Sequence, residues 1–128
     1  MRAAYLVIAH GSREKEANDA FFEFLGRFRK IYPGRLVEGA FLELAKPAIP
    51  EAIETCFAKG AREIFVIPLM LFPGRHVKDH IPKIIEEARV RHPDADFHCA
   101  GPLAGHPLLL DLVGEVSSSL TAKMRRKI

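Results

Sequence analysis

Apolar and β-branched residues gather in four short runs along the chain: AAYLVIA at 3–9, RLVEGAFLEL at 35–44, EIFVIPL at 63–69 and, more weakly, DFHCAG at 96–101. Runs of this length, bounded by turn-forming residues, predict strands. Between them the apolar spacing lengthens to three and four. Ala17, Phe21, Phe24, Leu25, Phe28 and Ile31 predict one helix, and Ile49, Ala52, Ile53, Cys56 and Phe57 a second. Ile81, Ile84, Ile85 and Ala88 predict a third, and Leu109, Leu112, Val113, Val116 and Leu120 a fourth. The order βαβαβαβα predicts an α/β fold, a single-domain three-layer sandwich around a four-stranded parallel sheet. The first and third runs are apolar almost throughout, as strands covered on both faces should be.

Punctuation predicts the helix boundaries. YPGR closes the first helix, Pro47 and Pro50 fit the first turn of the second, Gly60 fits just past its end, and Pro107 opens the fourth. A chain of 128 residues has room for one hydrophobic core, so residues 1–128 are read as one domain ending in a basic tail at 121–128.

Charge narrows the partners. The formal charge is +3, and most of the excess sits in the terminal KMRRKI, which suits a solvated helix end. Without a basic stripe interleaved with aromatics, nucleic acid is excluded as the expected partner. No apolar stretch approaches the ~18 residues of a membrane span, and the run at 3–9 lacks a following cleavage pattern, so no membrane partner and a cytoplasmic location are expected. Cys56 and Cys99 lack C-x-x-C spacing, which excludes a zinc knuckle and a thioredoxin-like pair. Cys56, on the stripe of the second helix, is expected to be buried and inert.

Chemistry enters at the strand-to-helix loops, which in a parallel sheet all emerge at one edge and bind ligands where the strand order reverses. They carry His10-Gly11-Ser12-Arg13, then Glu43 with Lys46, then FPGRHVKDH at 72–80, then GPLAGH at 101–106. His10, Glu43, His76 and His106 are thus delivered to one rim. Imidazoles and a carboxylate from separate loops suit a divalent first-row metal. With the common order 2-1-3-4, His10 and His76 flank the switch point.

Each residue has a plainer reading beside this one. His10 could cap a loop, Ser12 fits the N-cap of the first helix, Glu43 could be a solvent-facing strand end, and His106 could start the fourth helix. His76 and His80 have the spacing of paired helix ligands, but Pro82 belongs in a first turn, so the third helix is expected to begin near 79–81 with His76 before it. His80 is then a first-turn residue or an additional ligand. LMLFPGR at 69–75 extends the core, makes a dimer contact or forms a wall for a flat ligand.

AHGSR after the first strand, GAFLELAKP around the second and PGRHVKDHIP after the third, with PLAGHPLLLDLV near the end, resemble the small CbiX-type sirohydrochlorin chelatases. These belong to the class II tetrapyrrole chelatases. The resemblance implies a chelatase-like fold and ATP-independent insertion of a divalent metal into sirohydrochlorin, in cobalamin- or siroheme-type biosynthesis. Cobalt comes first, with nickel or iron as alternatives; the metal is a substrate, and no cofactor is held permanently. By the same resemblance His10 and His76 hold the metal, Glu43 assists binding or proton removal, and Ser12, Arg13, Lys46, Arg75 and Lys78 are available to the tetrapyrrole. The family usually has Asp where this chain has His80. Larger class II chelatases pair two such lobes in one chain, which implies a homodimer here. Two rivals remain: a non-catalytic metal-binding or carrier module using the same histidines, and a phosphohydrolase with His10 as nucleophile. Histidine phosphatases place Arg before that histidine, where this chain has Ala9.

Overall fold

Leu6, Val7 and Ile8 are consecutive and all buried, which a strand achieves only when helices cover both of its faces. The computed structural model describes residues 2–126. They form β1 (Arg2–Ala9), α1 (Lys15–Ile31), β2 (Leu36–Phe41), α2 (Ile49–Ala58), β3 (Ala61–Pro68), α3 (Ile81–Arg91), β4 (Asp96–Cys99) and α4 (Pro107–Arg126). A π-helical turn, His76–His80, leads into α3, and a 3-10 turn, Leu103–Gly105, leads into α4. The strands are all parallel in the order β2-β1-β3-β4. The expected α/β sandwich is therefore present, with the reversal of strand order between β1 and β3.

Alternation along β1 sorts its side chains into two cores. Ala4, Leu6 and Ile8 pack with Ile49, Ile53 and Cys56 of α2 and with Ile81 and Ile85 of α3. Val7 packs with Phe21 and Leu25 of α1 and with Val37 and Phe41 of β2. Each such side chain removed from water contributes about 1.5–3 kcal/mol, and among the described residues no polar or charged one is buried. Gly39 lets α1 approach β2, because a Cβ there would stand 2.3 Å from Leu25 Cδ1 and 3.1 Å from a ring carbon of Phe21.

Several boundaries differ from the sequence expectation. β2 stops at Phe41 because its N–H turns to the carbonyl of Pro47 at 2.8 Å, so residues 42–44 are loop. Pro47 then lies ahead of α2, and only Pro50 sits in its first turn. Ser12 is not the cap of α1; the capping position falls to Glu14, whose side chain makes no cap bond. The basic end of α4 carries Lys123, Arg125 and Arg126 in its last turn; Lys127 and Ile128 lie outside the described residues.

The largest departure is α4. Its predicted stripe is helical, yet none of its residues is buried: Leu112, Val113, Val116 and Leu120 are 52–60% exposed. Correspondingly, α1 covers β1 and β2 on its side of the sheet, while Tyr5, Phe65, Ile67, His98 and Ala100 line an open apolar depression of about 360 Å³. Among the described residues no helix is long and apolar enough to cross a membrane.

Close packing at Gly39 gives a test. Gly39→Val should cost about 1–3 kcal/mol through overpacking, whereas Gly34→Ala, with open space around it, should stay within about 0.5 kcal/mol; urea denaturation of both variants measures the difference.

Candidate metal-binding site

The hydrogen-bond ladder of β1 continues beyond its last residue and carries the site with it. Leu42 N–H donates to Ala9 O at 2.9 Å, Glu43 N–H to His10 O at 3.1 Å and, on the other side, Leu69 N–H to Ile8 O at 2.7 Å. The loops after β1, β2 and β3 are thereby held to a common register at the switch point. Gly11 makes this possible. Its φ is +96°, and a Cβ would fall 1.8 Å from the Glu43 carbonyl oxygen, so any side chain would push the two loops apart.

Three side chains meet above this backbone. His10 Nε2 lies 3.5 Å from Glu43 Oε1, and the His10 and His76 rings meet edge to face with centroids 4.8 Å apart. One ligand atom from each of His10, Glu43 and His76 falls within 4.8 Å of the others. Bonds of about 2.0–2.2 Å to a divalent metal at tetrahedral angles set donors roughly 3.3–3.6 Å apart, so closing on an ion takes a shift of up to about 0.7 Å per side chain. His10 and Glu43 are nearly half exposed, and their contact adds little to stability. Two neutral nitrogens and one carboxylate leave other coordination positions open on a first-row divalent ion.

Ser12 and Asn18 stiffen the first loop. Ser12 N–H donates to Asn18 Oδ1 at 3.1 Å, Asn18 Nδ2 donates to Ser12 O at 2.8 Å, and Ser12 Oγ accepts from Glu14 N–H at 3.0 Å. Ser12 is thus engaged in holding its own loop. Asn18 was missed in the sequence; its signal was an amide on the first turns of a helix following a glycine-containing loop.

α3 begins at Ile81, with Pro82 in its first turn as expected, and His76 lies ahead of it, in a helical turn of its own. The turn is π-type, with Ile81 N–H donating to His76 O, and this wider spacing accommodates a proline that lacks a donor and crowds the preceding turn. His76 Nδ1 and His80 Nδ1 stand 3.0 Å apart. His80 therefore touches His76 and stays outside the trio. His106 is also outside it: its Nδ1 accepts the N–H of Leu108 at 3.1 Å at the start of α4.

Arg13, Lys46, Arg75 and Lys78 are exposed on the loops around the trio, and none forms an ion pair among the described residues. The apolar run after β3 divides: Leu69 and Met70 pack on the two cores, whereas Leu71 and Phe72 are 47% and 70% exposed. Cys56 offers no thiolate here, since burial and the nearby Glu38 carboxylate push its thiol up to about 12.

Comparison with known proteins gives the following. The CbiX family model matches residues 4–120. A sirohydrochlorin cobaltochelatase of Priestia megaterium is 39% identical over 109 residues, 84% of this chain and 35% of that protein. The chloroplastic sirohydrochlorin ferrochelatase of Arabidopsis thaliana is 36% identical over 110 residues, 86% of this chain and 49% of that one. The solved structure of the sirohydrochlorin chelatase SirB from Bacillus subtilis subspecies spizizenii, in complex with cobalt, matches with a TM-score of 0.74 and 36% identity over 80% of this chain and 44% of that chain. The chain spans about a third to a half of the length of these relatives.

With Co²⁺ as the probe, binding should weaken on acidification, because each nitrogen must be unprotonated to donate. His10→Ala, Glu43→Ala and His76→Ala should each lose more than the roughly 10–100-fold typical of a supporting residue. Titration followed by cobalt absorbance measures both.

Proposed function

The chain belongs to the CbiX family, and from that premise we propose that it inserts a divalent metal, cobalt first and iron or nickel as alternatives, into sirohydrochlorin without ATP. The convergence of His10, Glu43 and His76 ligand atoms within 4.8 Å of one another at the switch point carries this reading. In it, His10 and His76 hold the ion and the macrocycle supplies nitrogens to the open positions. Each divalent ion that enters displaces two pyrrole protons. Glu43, within reach of His10 and nearly half exposed, accepts them in turn and passes them to solvent.

Exposed Leu44, Leu71 and Phe72 offer a flat apolar surface beside the ion, and Arg13, Lys46, Arg75 and Lys78 offer cations to the substrate's carboxylates. A donor set of three groups, with His10 and Glu43 exposed and His76 half-buried, suits an ion in transit, since a resident ion is more often enclosed by four. Cobalt and iron stand together in the names of the relatives, and a two-imidazole, one-carboxylate site accepts either.

The reading includes a homodimer. One observation supports it: both the stripe of α4 and the sheet face beside β3 are left open. A second copy that lends its α4 to this sheet face, and receives one in return, covers both surfaces at once.

Purified protein mixed with sirohydrochlorin and Co²⁺ should shift the absorbance to that of the metallated ring without ATP, and His10→Ala and His76→Ala should slow the shift by at least 100-fold, about 2.7 kcal/mol of barrier. An unchanged spectrum with Co²⁺, Fe²⁺ and Ni²⁺ alike, while cobalt still binds, would instead favour a carrier. Light scattering after gel filtration should give twice the chain mass for the native protein and a lower mass for Val113→Glu/Val116→Glu; a native monomer even with metal and substrate present rules out the dimer.

A further inference from the structure

His80 is the one imidazole of the rim whose ring touches the trio without joining it. Its Nδ1 is 3.0 Å from His76 Nδ1. The two ring planes are 16° apart and the centroids 5.2 Å apart. That centre-to-centre distance is close to the nitrogen gap plus the two ring radii, so both nitrogens lie near the line joining the centres. This is the geometry of a shared proton, at an ordinary hydrogen-bond length.

A neutral imidazole carries one N–H and one lone pair, so the direction of this bond decides which nitrogen of His76 is left for a metal. If His80 donates, His76 accepts at Nδ1 and carries its own proton on Nε2, leaving no lone pair for the ion. If His76 donates from Nδ1, its Nε2 is free to ligate. Metal-bound histidines usually donate their other N–H to a neighbouring acceptor, which fixes both tautomer and ring orientation. The π turn brings such an acceptor here: it places His76 and His80 on one side of a widened helical turn, with their nitrogens in contact.

We infer that His80 is a positioning residue, accepting the Nδ1–H of His76 and so presenting His76 Nε2 to the metal that His10 and Glu43 also hold. This rests on the metal-binding reading of the trio. A neutral imidazole as acceptor orients His76 without adding negative charge, leaving the site less tightly bound to its ion than a carboxylate at that position would.

The test compares native protein with His80→Ala and His80→Asp. Long-range ¹H–¹⁵N spectra of the metal-free protein should show His76 protonated at Nδ1, and His80→Ala should return it to the Nε2–H form usual in water. Cobalt affinity should fall by roughly 10–100-fold in His80→Ala and recover in His80→Asp, whose carboxylate can accept the same proton. The visible bands at cobalt saturation should keep their shape in both variants. A native His76 protonated at Nε2, or unaltered cobalt affinity in His80→Ala, overturns the inference. So does a change of band shape that His80→Asp fails to restore, which would make His80 a ligand itself; its 3.0 Å separation from His76 also matches two ~2.1 Å bonds at a right angle. Native protein that metallates sirohydrochlorin while His80→Ala binds cobalt normally defeats only the role of His80, whereas native protein with no cobalt affinity defeats the site itself.

Discussion

The ladder of main-chain hydrogen bonds that runs past the end of β1 is the constraint on which the site depends. His10 has to accept from Glu43 N–H for the loops after β1 and β2 to lie side by side, and this contact exists only because Gly11 has no Cβ to strike the Glu43 carbonyl. The loop after β3 is tied to the same strand through Leu69. Three loops distant in the chain are thus set by backbone bonds rather than by side-chain attraction. His10 and Glu43 can then remain exposed and weakly paired.

Stability and chemistry are accordingly separated. The cores between the sheet and α1, α2 and α3 contain hydrophobic residues, with no buried polar group among the described residues. The trio stands at the rim, where its ion pair contributes little. On the proposed reading the site gains from this division, because its donors can move by the fraction of an ångström that closing on an ion requires without disturbing the packing below. The one buried thiol is locked in its protonated form by desolvation, which keeps a soft competing ligand out of reach.

The uncovered half of the sheet gives the molecule an asymmetry. Tyr5 stacks on Phe65 and Phe65 on His98, a row of rings that crosses β1, β3 and β4 and lines the open depression. The helix whose pattern matches this face, α4, projects its leucines and valines to solvent. Apolar surface of that extent on both elements is costly in water, and the same contact, whether made within a chain or between copies, relieves both.

By itself the sequence determined everything that follows from local chemistry. Apolar runs without polar interruption marked β1 and β3 as strands covered on both faces, Gly60 and Pro107 marked helix ends, and the position of His10, Glu43 and His76 just past strand ends marked them as neighbours once the strands were parallel. Periodicity states that a face is to be buried but not against what, so the fate of the α4 stripe was decided by tertiary structure. The same holds for the exchange of bonds between Ser12 and Asn18, which replaced an expected cap, and for the π turn that holds His76 just ahead of α3. In each case a local preference competed with contacts to residues elsewhere in the fold, and only the assembled backbone sets the distances on which that competition turns.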